Sequence, residues 1–129
     1  MSTETTASVS THILDTSAGR PAEGVAVSLS AREGSGGGWT ALGGSETDAD
    51  GRCRDLPALP EGTTQVRLDF ETGPYFAKKQ AEAQQDAPAK RDSGAFFPEV
   101  AITFAVVPGE HFHVPLLLNP FGYSVYRGS

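Results

Sequence analysis

The sequence predicts an all-β domain, a two-sheet sandwich of eight short strands with one short helix. Three observations carry that expectation. Apolar and polar residues alternate at the two-residue period of half-buried strands through most of the chain. Gly, Pro, Asn and Asp break these segments at short intervals. Only one stretch has the composition of a helix.

The first strand runs from Val9 to Leu14, with Val9, Thr11 and Ile13 on one face and Ser10, His12 and Leu14 on the other. Residues 1–8 are rich in Ser and Thr, with no basic or apolar run, and read as a flexible arm; they are neither a signal peptide nor a membrane span. The domain is then residues 9–129. Asp15 to Pro21 is turn chemistry, and Val25 to Ser30 is a second strand. The glycine-rich run from Arg32 to Trp39 offers almost no side chain before Trp39 and is expected as a mobile surface loop.

A third strand starts at Trp39, and the turn Asp48-Ala-Asp-Gly51, with a positive φ at Gly51, delivers Arg52 to a short fourth one that ends before Pro57. Gln65 to Phe70 is the most regular strand, with Val66, Leu68 and Phe70 inward. The helix is expected from Tyr75 to Gln85 with Pro74 in its first turn, followed by an enlarged polar loop from Asp86 to Gly94. Pro98 to Val107 is the sixth strand. In the last pair Phe112, Val114, Leu116 and Leu118 share one face, and His111, His113, Pro115 and Leu117 share the other. Pro115 is expected to mark a bulge, because proline removes a ladder donor.

The totals narrow the function. A chain of 129 residues that is 38% hydrophobic suits one domain with a core of its own. The net charge of -6 opposes nonspecific attraction to nucleic acid or to an anionic membrane, which leaves a small molecule or another copy of the chain as partner. Cys53 is the only cysteine, so no internal disulfide forms, and a reducing cytoplasmic setting is the default.

All three histidines fall on strand faces away from the core row, beside leucines such as Leu14 and Leu117. Such a face is either solvated or covered by a second subunit. Imidazoles titrate near neutrality and suit general acid or base work on water. Arg52 and Arg127 are permanent cations suited to a planar, oxygen-rich ring or to a developing oxyanion. The bland alternatives are concrete: a strand histidine without a role, Arg52 as a turn residue, and Arg127 as a solubilising charge. A zinc clip at His111 and His113 lacks a third ligand within the motif.

Four stretches resemble one family. They are Ser10-Thr-His-Ile-Leu-Asp-Thr-Ser-Ala-Gly-Arg-Pro-Ala22, Thr47-Asp-Ala-Asp-Gly-Arg52, Phe96-Phe-Pro-Glu-Val100 and the closing run from His111 to Tyr126-Arg-Gly-Ser129. Together they are similar to the 5-hydroxyisourate hydrolases, the enzymatic branch of the transthyretin-like family. The resemblance implies a transthyretin-like sandwich, a homotetramer around a central channel, and hydrolysis of 5-hydroxyisourate in urate catabolism without metal or cofactor. Matched position by position, it implies His12, Arg52, His113 and Ser129 as catalytic residues, with Tyr126, Arg127 and Gly128 binding substrate. His111 is a lesser helper. The site would be walled by neighbouring subunits. The rival is a small-molecule carrier of the same architecture without catalysis.

Overall fold

The structure is a computed structural model that describes residues 6–34, 36–83 and 95–129. Nine strands and a helix follow in the order β1 (Ser8–Asp15), β2 (Arg20–Pro21), β3 (Ala26–Arg32), β4 (Thr40–Glu46), β5 (Arg52–Cys53), β6 (Gln65–Glu71), α1 (Thr72–Ala83), β7 (Glu99–Ala105), β8 (His111–Asn119) and β9 (Gly122–Val125). One sheet has the order β2-β1-β8-β9, with β5 also paired to β1. The other has the order β4-β3-β6-β7. The all-β sandwich expected from the alternation is therefore the fold.

The two sheets close on the predicted apolar rows. Ile13, Leu116 and Leu118 from one sheet meet Val27, Leu29, Val66, Leu68, Phe70 and Val100 from the other, all at most 2% exposed. Burying each large side chain of this kind is worth about 1.5–3 kcal/mol. In the second sheet Val66, Leu68 and Phe70 stand opposite Phe104, Ile102 and Val100 on one side and Ala31, Leu29 and Val27 on the other, so a single parity organises three strands.

Several elements differ from expectation. A ninth strand appears because Arg20 and Pro21 pair back onto Asp15 and Leu14 within the predicted turn. The helix starts at Thr72, three residues early, and the Thr72 hydroxyl donates to the Phe97 carbonyl at 2.5 Å. The short fourth strand ends at Cys53, and β4 begins at Thr40, one residue after Trp39. Trp39 itself lies under the Arg32 guanidinium, 4.2 Å from the ring centroid, which holds down one end of the glycine-rich loop. The arm expected over residues 1–8 is packed from Thr6 onward: the Gly109 amide donates to the Thr6 carbonyl at 3.1 Å, and Ala7 is buried. Residues 1–5 and the loop expected at Asp86 to Gly94 lie outside the described residues.

Gly51 has a φ of 77°, as its turn requires, and a Cβ there would collide with the Ile13 carbonyl. Beside that turn β5 hydrogen-bonds to β1, pairing Arg52 with His12 and Cys53 with Thr11. Cys53 is buried, and burial pushes its thiol up to about 11, so it behaves as a small apolar group.

The buried polar element is Asp15, 2% exposed at the end of β1. Its carboxylate accepts from the Ser17 amide at 2.9 Å, the Ser17 hydroxyl at 2.5 Å and the Ala18 amide at 3.1 Å. The Tyr75 hydroxyl of α1 donates to its other oxygen at 2.7 Å. Burial alone would raise this carboxyl, but those four bonds outweigh it and hold the group below the ordinary range. The Tyr75 hydroxyl is raised by its own burial and by Asp15. This pair therefore pins the helix to the strand that carries His12.

A carboxyl with a depressed folded pKa adds stability that is fully present above its unfolded value of about 3.9 and is lost as pH falls through the folded value. Tyr75→Phe should cost about 1–3 kcal/mol at neutral pH. Thermal unfolding across the acid range should show the difference between Asp15→Asn and the parent protein shrinking as pH drops; a constant difference would refute the assignment.

Candidate active site

The site face is the outer face of the five-stranded sheet, and two cross-strand registers build it. β1 and β8 run parallel in unbroken register from Ser8 opposite His111 to Asp15 opposite Leu118. Ser10 thereby stands opposite His113, and His12 opposite Pro115. On the other side of β1, His12 stands opposite Arg52. Because side chains alternate along each strand, Ser8, Ser10 and His12, His111 and His113, and Arg52 all leave the sheet on one side. Their core-side neighbours Thr11, Cys53 and Val114 are buried.

The histidines are tied together by serines. Ser10 Oγ lies 2.8 Å from His113 Nδ1 and 2.8 Å from His111 Nε2. Ser8 Oγ lies 2.6 Å from His111 Nδ1. With its Nδ1 held by Ser10, His113 leaves Nε2 as the ring nitrogen free to meet a reactant. Burial lowers the His113 pKa, and the Arg52 charge, His12 and His111 lower it further, so its protonated form is disfavoured. Among the described residues Arg52 forms no salt bridge, although Arg54, Arg67 and Arg127 each do. A cleft of about 310 Å³ opens beside β5, lined by Val9, Ser10, Arg52, Arg54, Leu56 and His111.

The chain end reaches the same face through Pro115. The register from β1 to β8 passes through Pro115 without a shift, so the expected bulge is absent. The Pro115 carbonyl accepts from the Tyr126 amide at 3.4 Å, which turns the proline nitrogen toward the tail. Pairing in β9 stops one residue earlier, at Val125. The missing donor thus falls where the ladder has already opened. The bridge resumes between His113 and Gly128, whose amide donates to the His113 carbonyl at 2.7 Å. A Cβ on Gly128 would stand 2.8 Å from His113 Cδ2 and 3.2 Å from the Pro115 ring. Only glycine lets the tail lie against the imidazole.

Of the residues expected from sequence, the structure brings His12, Arg52, His113 and the Gly128 backbone to one face. Ser129 follows Gly128 and is exposed. Arg127 is placed elsewhere. Its neighbour Gly128 bridges His113, so alternation sends the Arg127 side chain to the opposite side, 4.7 Å above the Phe112 ring and 3.5 Å from Glu110. Tyr126 lines the same apolar groove, with Ile102 and Phe104. Sequence reasoning missed Ser8 and Ser10; their parity with His12 was visible, but not the strand that would lie beside them. Among the described residues no group of three His, Cys, Asp or Glu is placed to hold a metal.

The model of the HIUase/Transthyretin family matches residues 9–128. The chain belongs to this family. It is 42% identical to a 5-hydroxyisourate hydrolase of Caulobacter vibrioides over 122 residues, covering 94% of this chain and 97% of that one. The solved structure of the Klebsiella pneumoniae 5-hydroxyisourate hydrolase superposes with a TM-score of 0.70 at 39% identity, covering 94% of this chain and 98% of the other. A transthyretin from Sparus aurata superposes equally well, with a TM-score of 0.70, but at 28% identity over 93% of this chain and 95% of that one. The fold therefore does not separate enzyme from transthyretin. The sequence sits nearer to the hydrolases.

The histidine cluster makes an electrostatic prediction. His113 should titrate below the ordinary histidine value of about 6.5, and Arg52→Gln should move it upward. Imidazole resonances followed by NMR across the neutral range measure both. An unchanged His113 titration in the Arg52 variant would mean that the guanidinium does not face the ring.

Proposed function

We propose that this protein hydrolyses 5-hydroxyisourate to 2-oxo-4-hydroxy-4-carboxy-5-ureidoimidazoline, a step of urate catabolism, by water activated on histidine. The observation that carries the reading is His113, held at Nδ1 by Ser10 and sharing one sheet face with the His12–Arg52 pair. It occurs in a chain 36–42% identical to several 5-hydroxyisourate hydrolases over most of its length.

The chemistry follows from which groups carry charge. His113 is the base: with its protonated form disfavoured by burial and by the Arg52 charge, it accepts a proton from water at Nε2 while the water oxygen attacks the ring amide carbonyl. Negative charge then grows on the carbonyl oxygen, and Arg52 supplies the compensating cation. His12, beside Arg52, delivers a proton to the departing ring nitrogen. The tail contributes Gly128, which allows close approach to His113, and Ser129, whose hydroxyl closes the pocket. Tyr126 and Arg127 anchor the tail through the Phe112 groove. No metal or cofactor enters the scheme.

We also propose a homotetramer in which the histidine face is covered by a second subunit. Leu14 and Leu117 beside the histidines are only half-buried in the single chain, and Phe121 at the turn between β8 and β9 is 81% exposed. The cytosol is the setting proposed for the enzyme, where its one cysteine stays reduced. Among the described residues no helix is long and apolar enough to cross a membrane.

Freshly generated 5-hydroxyisourate, followed by ultraviolet absorbance, is the direct assay. His113→Ala should lower kcat by about 10²–10⁴-fold with the fold retained, and a chain lacking Gly128 and Ser129 should lose most turnover. A carrier would instead bind the compound and leave its decay rate unchanged. Sedimentation should give four times the 13.5 kDa of the chain; a fully active monomer would overturn the interface reading.

A further inference from the structure

We propose that Ser10 and His111 form a proton relay behind His113, carrying the proton of the attacking water outward to Ser8 and solvent. The proposal rests on His113 being the base. Three contacts in series define the path: His113 Nδ1 to Ser10 Oγ at 2.8 Å, Ser10 Oγ to His111 Nε2 at 2.8 Å, and His111 Nδ1 to Ser8 Oγ at 2.6 Å.

Two arrangements of hydrogens, running in opposite directions, satisfy all three, and a base at His113 requires the one that leaves its Nε2 unprotonated. A neutral imidazole donates from one nitrogen and accepts at the other, and a hydroxyl does both. With His113 Nδ1–H donating to Ser10, the Ser10 hydroxyl donates to His111 Nε2, and His111 Nδ1–H donates to Ser8. No donor faces a donor. His113 and Ser10 are half-buried, whereas His111 and Ser8 are exposed, so the path leads from the reacting nitrogen to water. The parallel register makes it, setting Ser8 opposite His111 and Ser10 opposite His113 on one face.

The surroundings give the relay a purpose. An imidazolium at His113 would stand beside the Arg52 cation, with His12 and His111 also near, and these are the charges that already disfavour its protonated form. Passing the proton on keeps His113 neutral. As the water O–H bond breaks, an N–H bond forms at His113 Nε2 and the Nδ1–H bond breaks to form O–H on Ser10. The original Ser10 proton forms the N–H bond at His111 Nε2, and the His111 Nδ1 proton passes to the Ser8 oxygen, whose own proton enters solvent. One proton leaves, and no oxidant or reductant is needed. Ser10 and His111 are thus positioning residues that act through His113.

His111→Gln keeps a polar partner for Ser10 but cannot pass a proton. In dilute buffer it should lower kcat roughly tenfold with KM unchanged, a fraction of the full general-base contribution. Added imidazole should restore kcat, and a curved dependence on deuterium content in mixed H2O and D2O should become linear. Ser10→Ala should behave likewise. Nitrogen-15 shifts should show a proton on His113 Nδ1 and none on His111 Nε2 in the resting protein. Wild-type kcat and isotope dependence in both variants, with His113→Ala inactive, would overturn the relay and leave the base in place. Restoration by Ser10→Thr without any response to imidazole would overturn it too, reducing Ser10 to a brace. Full activity in His113→Ala would remove the base reading and the relay together.

Discussion

The parallel pairing of β1 with β8 is the constraint on which the molecule depends. It joins residues up to 103 positions apart through eight consecutive pairs, while the other described pairings are antiparallel. Closing so long a loop costs little more than closing a shorter one, because the entropic cost grows only with the logarithm of length. The apolar row offsets it: Ile13, Leu116 and Leu118 vanish from solvent, and the buried Thr11 hydroxyl donates to the Val114 carbonyl at 2.6 Å. A slip of one residue would push the histidines into that core. Core packing and site geometry are therefore set by the same register.

Pro115 and Gly128 act together on that frame. The proline cannot donate, the ladder opens opposite it, and two residues pass before Gly128 bonds again to His113. The interruption sends the Arg127 side chain over Phe112 and returns Gly128 to the imidazole. A chain of net charge -6 also keeps Arg52, which has no ion-pair partner among the described residues, on the histidine face. An oxygen-rich ligand is attracted by that local charge, since the global field is screened within about 10 Å in salt.

The fold was largely legible because alternation survives in single strands. Val66, Leu68 and Phe70 read as inward and are at most 0% exposed, and the row from Phe112 to Leu118 is buried as its parity required. The errors fell at ends. The helix began at Thr72 because the Thr72 hydroxyl finds the Phe97 carbonyl, a partner 25 residues away that no local pattern reveals. Pro115 was read as a bulge because its strand was known but its neighbours were not. In the candidate site, His12, Arg52 and His113 were named from motifs and share a face, whereas Arg127 was named from its motif and its side chain lies across the sheet.

By itself the sequence determined which residues are apolar, the parity of each strand, the turn at Gly51 and the family to which the motifs point. These depend on local sterics and on a period of two. Only the tertiary structure decided that Ser8 and Ser10 stand beside His111 and His113, that Asp15 anchors Tyr75, and that Gly128 touches an imidazole. Each of those contacts joins segments remote in the chain, and a distant register is set by the packing of whole sheets and not by the residues that meet.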